Sequence, residues 1–148
     1  MRFGRRYELP LRQPIDGSHV ALVRLGEKTI GRTLENAQYL LAITATKTES
    51  ANQVRLRFRP EIQYGDTWQK TVRSDTAYRI DTRRESWSLA ELDLDVTASE
   101  NDTFVLSATT PATGMAKHML TGAGSDSQPQ QLVLLIRVAR VPSAADLL

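Results

Sequence analysis

Gln53-Val54-Arg55-Leu56-Arg57-Phe58-Arg59-Pro60-Glu61-Ile62-Gln63-Tyr64 is the stretch whose reading decides the fold. Val54, Leu56, Phe58, Pro60, Ile62 and Tyr64 alternate with Arg55, Arg57, Arg59, Glu61 and Gln63. A period of two places alternate side chains on opposite faces of a β-strand, so the pattern predicts one buried face and one wet face. Pro60 has no N–H for a ladder, which predicts a strand that bends or lies at a sheet edge from that residue on. Gly65-Asp66 is expected to break it.

The same logic extends outward in both directions. From His19 to Leu25, Val20, Leu22 and Arg24 oppose Ala21, Val23 and Leu25, and Gly26-Glu27 supplies a turn into Thr29-Ile30-Gly31-Arg32. Thr33 to Ala42 carries Leu34, Ala37 and Leu41 at helical spacing behind a capping Thr33. The Thr-rich run Ile43-Thr44-Ala45-Thr46-Lys47-Thr48 favours instead a strand from Ala37 to Thr48, because β-branched side chains suit a pleated surface. Residues 1–17, broken by Pro10, Pro14 and Gly17, read as an extended arm or edge strand open to pairing with another chain. Thr67 to Val72 and Ala77 to Thr82 flank Arg73-Ser74-Asp75 as a hairpin. Leu92, Leu94 and Val96 alternate with Glu91, Asp93, Asp95 and Thr97, and the turn Ser99-Glu100-Asn101-Asp102 leads into Thr103 to Ser107, a second expected hairpin. Thr109 to Gln130 reads as a long loop, mobile in part and most of all from Gly122 to Gln130. Leu132 to Val141, apolar on both sides over its first half, is expected to close the fold as a central strand. The fold class is therefore all-β, mainly antiparallel with at most one short helix, as a single compact sheet or sandwich. One domain spans 1–148, with a β core at 19–141 and a tail at 142–148. Leu56, Phe58, Leu94, Val96, Leu134 and Ile136 are expected to be buried together, with Arg55, Arg57, Glu91 and Asp93 exposed.

Composition sets limits on function. A chain of 148 residues with 41% hydrophobic residues is enough for one core, and a net charge of +2 falls short of the concentrated positive field of a dedicated nucleic-acid binder. There is no cysteine, which excludes disulfides, thiolate catalysis and sulfur-based zinc sites. The longest apolar run, Leu132 to Ile136, is strand-sized and far below the roughly 20 residues of a membrane-spanning helix. Met1-Arg2-Phe3-Gly4-Arg5-Arg6 lacks the apolar stretch of a secretory signal.

No catalytic, metal or cofactor constellation emerges, so the chain is read as a non-enzyme without a cofactor or small-molecule substrate. His19 and His118 lack partners at metal-ligand spacing. Asp16-Gly17-Ser18-His19 reads as a turn into a strand, since triads are assembled in space and seldom from adjacent residues. Gly122-Ala123-Gly124 is followed by neither lysine nor helix and is no phosphate loop. Glu91, Asp93 and Asp95 have the period of a strand face rather than of a calcium loop. Arg55, Arg57 and Arg59 form a basic stripe with Phe58 on the opposite face, which argues against RNA binding, where aromatic and basic groups share a face. Cross-strand pairing with the acidic stripe explains the arginines economically. The sharper alternative is an acidic partner, with Arg55, Arg57, Arg59, Pro60 and Glu61 as the candidate interaction surface.

Three blocks carry a resemblance: Val54 to Ile62, Leu92 to Leu106 with its central turn, and Gln131-Leu132-Val133-Leu134-Leu135-Ile136-Arg137-Val138. Their order and spacing resemble the C-terminal β-domain of bacterial secretins over roughly residues 54–141. Gly31-Arg32-Thr33 with Ala37-Gln38, Arg59-Pro60-Glu61-Ile62 and Leu134-Leu135-Ile136-Arg137 are also similar to an uncharacterised group of bacterial envelope-associated proteins. The chain departs from secretins at Ser107-Ala108-Thr109-Thr110 and at Val138-Ala139-Arg140-Val141-Pro142, and no pair of segments has the continuous apolar outer face of a pore wall, which leaves membrane contact open. The resemblance implies a secretin-like β-domain at the bacterial envelope or periplasm that associates with itself or with another envelope protein through strand edges. The alternative is a soluble ligand- or protein-binding β module that uses the 109–130 loop.

Overall fold

A computed structural model describes residues 1–50, 52–73, 78–123 and 129–141. The architecture is all-β with one short helix. Its spine is two long strands, β3 (Lys28–Lys47) and β4 (Gln53–Arg73), paired antiparallel from Gln38↔Gln63 to Lys47↔Val54. β1 (Arg6–Pro10) and β2 (Ile15–Leu25) follow one another along the free edge of β3, linked by the Leu11 N–H to the Tyr39 carbonyl. On the free edge of β4, β5 (Tyr78–Ser88) and β6 (Leu94–Ser99) do the same, separated by a 3-10 turn at Ala90–Leu92. The N-terminal arm is therefore an edge strand of its own sheet, and the whole of Thr33 to Ala42 is strand.

Pro60 shows how a proline survives inside such a sheet. The carbonyls of Tyr39 and Ala45 point at β1's side, accepting from Leu11 and Gly4. By alternation Leu41 points the same way, so the Leu41↔Pro60 pair exchanges no hydrogen bond across β3 and β4. The Pro60 nitrogen faces the β5 and β6 side, where pairing stops between Glu61↔Ser88 and Phe58↔Leu94 and the chain detours through the 3-10 turn. The expectation of a bend or sheet edge at Pro60 is corrected: β4 runs on, and its neighbour breaks instead. Gly65 does not end β4 either; at φ +71° it sits in the bulge between Tyr64 and Trp68. Asn36, at φ +51°, lies at the matching point of β3. Beyond these two residues the β2–β3 and β4–β5 hairpins part company. Arg84 of β5 ties the branch point by donating from Nε to the Gly65 carbonyl at 3.0 Å and from Nη2 to the Asn36 carbonyl.

One face of this sheet is covered by two separate pieces. The helix α1 (Gly114–Leu120) sits over β2 and β3, where Met115, Met119 and Leu120 pack with Ala21, Val23, Leu34, Tyr39, Ile62 and Trp87. A ribbon of β7 (Thr103–Leu106) and β10 (Leu134–Arg137) covers the other half, and Phe104, Leu106, Leu134 and Ile136 pack on Leu41, Ile43, Val54, Leu56 and Phe58. A small pair, β8 (Thr121–Ala123) and β9 (Pro129–Gln131), follows the helix.

Four expectations are corrected by this layering. β6 and β7 form no hairpin: Asn101 at φ +72° turns the chain out of the sheet, the Asn101 N–H donates to the Val138 carbonyl, and β7 pairs with β10. Leu132 to Val141 is half of a two-stranded ribbon and not a central strand. The 109–130 segment contains a buried helix in its first part, while the 124–128 stretch of the expected mobile loop lies outside the described residues. Leu94 is 50% exposed although its pairing partner Phe58 is buried, because Leu94 starts β6 beside the gap opposite Pro60.

Candidate functional site

The face opposite the helix and ribbon is the polar one, and the predicted interaction stripe lies on it. Arg57 donates from Nε and Nη2 to the two carboxylate oxygens of Asp95 at 2.9 and 3.0 Å. Arg59 makes the same two-pronged contact with Asp93 at 2.8 and 2.6 Å. These are the cross-strand pairs expected from the two stripes, and the hydrogen bonds from the guanidinium groups hold both aspartates below the usual carboxylate range. Asp93, expected to be exposed, is shielded by this contact. Glu61 is only 2% exposed and accepts from Arg6 Nη2 at 2.8 Å. Pro60 belongs to the other face. Within the candidate surface Arg55 is exposed and forms no salt bridge with a described carboxylate, whereas Arg57, Arg59 and Glu61 are paired, so the stripe is largely neutralised within the chain.

The opposite face is unfinished in a different way. Between α1 and the ribbon runs a cleft of about 650 Å³, floored by Leu11, Leu41 and Pro60 and walled by Met115 and Met119 on one side and Leu106 and Leu134 on the other. Leu94 and Val105 stand at its rim. Val105 pairs across the ribbon with Leu135, and the two are 63% and 71% exposed. Rim and ribbon thus form one continuous apolar surface, a feature that monomeric soluble proteins seldom leave uncovered. No residue of this surface except Pro60 stands out in the sequence as functional. The available signal was the two-sided apolar character of Leu132 to Ile136, which marks an outward apolar face as readily as a central strand.

The two histidines, 99 positions apart, meet at the far side of α1. His19 Nε2 lies 2.8 Å from the hydroxyl of Tyr39, the His118 ring stacks on the Tyr39 ring at 5.4 Å, and the two imidazoles stand edge to face at 5.0 Å. Burial pushes the Tyr39 phenol up to about 12. Burial, and then the neighbouring bases His19 and Lys117, lower the pKa of His118. The partner that orients His19 is a phenol and the charges acting on His118 are basic, an arrangement unlike the carboxylate-oriented base of a hydrolase. Gly17, in the Asp16-Gly17-Ser18-His19 motif, adopts φ +74° in a bulge within β2, and its N–H donates to Asn36 Oδ1 at 2.9 Å. Among the described residues no group of three or more His, Asp or Glu side chains is placed to hold a metal ion.

No family model, curated protein or solved structure matches the chain.

Proposed function

We propose that this is a non-catalytic interaction domain that associates with a second copy of itself through the β7–β10 ribbon and the cleft rim. The observation that carries the reading is the exposed Val105–Leu135 pair, set on a ribbon whose strands each have one edge outside any ladder of the described residues. An antiparallel edge is self-complementary about a two-fold axis, so a second copy satisfies both the open edge and the apolar face. This moves the association surface from the arginine stripe and the N-terminal arm to the ribbon. The likeness to envelope proteins supports a role in assembly at the bacterial envelope, where strand addition is a common mode of contact.

Burial of Leu94, Val105, Val133 and Leu135 from each copy contributes about 1–2 kcal/mol per side chain. The general cost of association, about 4–15 kcal/mol, cancels most of that sum, so only a weak dimer with a dissociation constant of about 100 micromolar is expected. Light scattering across a concentration series should show monomer and dimer in exchange, and the Val105→Lys/Leu135→Lys variant should stay monomeric with unchanged β-type circular dichroism. A wild-type protein that remains strictly monomeric at several hundred micromolar would overturn the reading. The cleft itself favours a second reading, an apolar small-molecule site, since its volume lies in the range of ligand pockets. Saturable binding of a fluorescent apolar probe by the monomeric variant, lost in Met119→Lys, is the result that reading requires.

A further inference from the structure

Behind the histidine pair, on the flank of α1 away from the apolar cleft, an open pocket of about 520 Å³ is lined by Arg12, Lys117, His118, Thr121 and Gly122, and none of its described lining side chains is acidic. The guanidinium of Arg12 lies against the backbone of Gly122 so closely that a β-carbon there would come within 2.7 Å of Nη1. Nε of Arg12 is buried and has no hydrogen-bond partner among the described residues. A buried guanidinium donor left without an acceptor is costly, and charged donors of this kind are normally matched by an anion. Lys117, one residue before His118 on α1, adds an exposed ammonium at the rim. The groups facing His118 from the other elements are His19 on β2 and Tyr39 on β3, both unable to supply negative charge near neutral pH.

The geometry points to a binding site for a small phosphate-bearing dianion, held by the Arg12 fork and the Lys117 ammonium and capped by His118. Two fixed positive charges and a ring that can gain a third match a dianion better than a monoanion. Glycine at 122 is what lets the fork lie flat, because any side chain would push the guanidinium aside. Since bound phosphate favours the protonated ring, the His118 imidazole, held low by burial and by its basic neighbours, should titrate at a higher pH when phosphate is bound. Nothing in this site overlaps the β7–β10 ribbon, so its test is independent of the association proposed above.

The test is a titration of the full chain with inorganic phosphate, read from the ring proton and carbon signals of His118. A saturable shift is expected at pH 7.5, where phosphate is mainly a dianion, with a dissociation constant in the millimolar range, and the pH titration of the ring signals should move upward in saturating phosphate. Arg12→Gln should weaken binding about tenfold or more, the loss of a charge-assisted contact. Gly122→Ala, which keeps every cation but displaces the guanidinium, should do the same while the circular dichroism stays unchanged. Acetate should need about tenfold more ligand for the same shift. Absence of saturation, wild-type binding in both variants, or acetate binding as tightly as phosphate would overturn the assignment.

Discussion

Glu61 was a candidate for partner recognition and is instead the most buried charged side chain described, so removing its cation is the sharpest test of the closed polar face. Arg6→Met keeps much of the apolar stem and deletes the guanidinium that meets Glu61 Oε1 at 2.8 Å. Breaking a fully buried ion pair from one side costs about 3–5 kcal/mol, because the remaining charge stays desolvated. Arg6 is itself 41% exposed, which lets water reach the pair and screens it. Exposed pairs contribute only about 0–1 kcal/mol, so an intermediate loss of about 2 kcal/mol is expected. The diagnostic is the double-mutant cycle: Glu61→Gln removes the stranded charge, and Arg6→Met/Glu61→Gln should be less destabilised than the sum of the single variants by about 1 kcal/mol or more. Urea unfolding at pH 7, with the slope m checked for constancy, supplies all four free energies. Additivity within about 0.5 kcal/mol would show that the two side chains do not depend on each other, and the account of Glu61 as an internal partner would be wrong.

Two further outcomes follow from the same face and from the branch point. The pKa of Asp93 is depressed in the fold by its hydrogen bond from Arg59, so its stabilising contribution is present above the unfolded value and is lost as pH falls through about 4 and below; Arg59→Met should flatten that acid loss in a melting-temperature profile. Arg84→Ala removes the two donors that hold Gly65 and Asn36, and should cost about 1–3 kcal/mol while raising amide exchange in the β2–β3 and β4–β5 hairpins; exchange that rises equally in β7 and β10 would count against a local clamp.

The sequence by itself determined the strands and their faces. Val54, Leu56 and Phe58 are buried and Arg55 and Arg57 exposed because a period of two leaves no other assignment once a single face is covered. The pairing of Arg57 with Asp95 and of Arg59 with Asp93 was legible for the same reason, since two stripes of opposite sign and equal period invite adjacent strands. The Gly26-Glu27 turn was legible as local chemistry. Tertiary structure alone decided which strands are neighbours and what covers them. The turn at Ser99 to Asp102 looks the same locally whether the next strand folds back or crosses to a second layer, and only the availability of β10 as a partner for β7 settles it. Met115-Ala116-Lys117-His118-Met119 is too short to show a helical period clearly, and becomes a helix where its two methionines can bury against β2 and β3. The meeting of His19, Tyr39 and His118, and of Arg12 with Gly122, joins residues on separate elements. No spacing along the chain encodes such contacts, because they arise from the layer that α1 forms on the sheet.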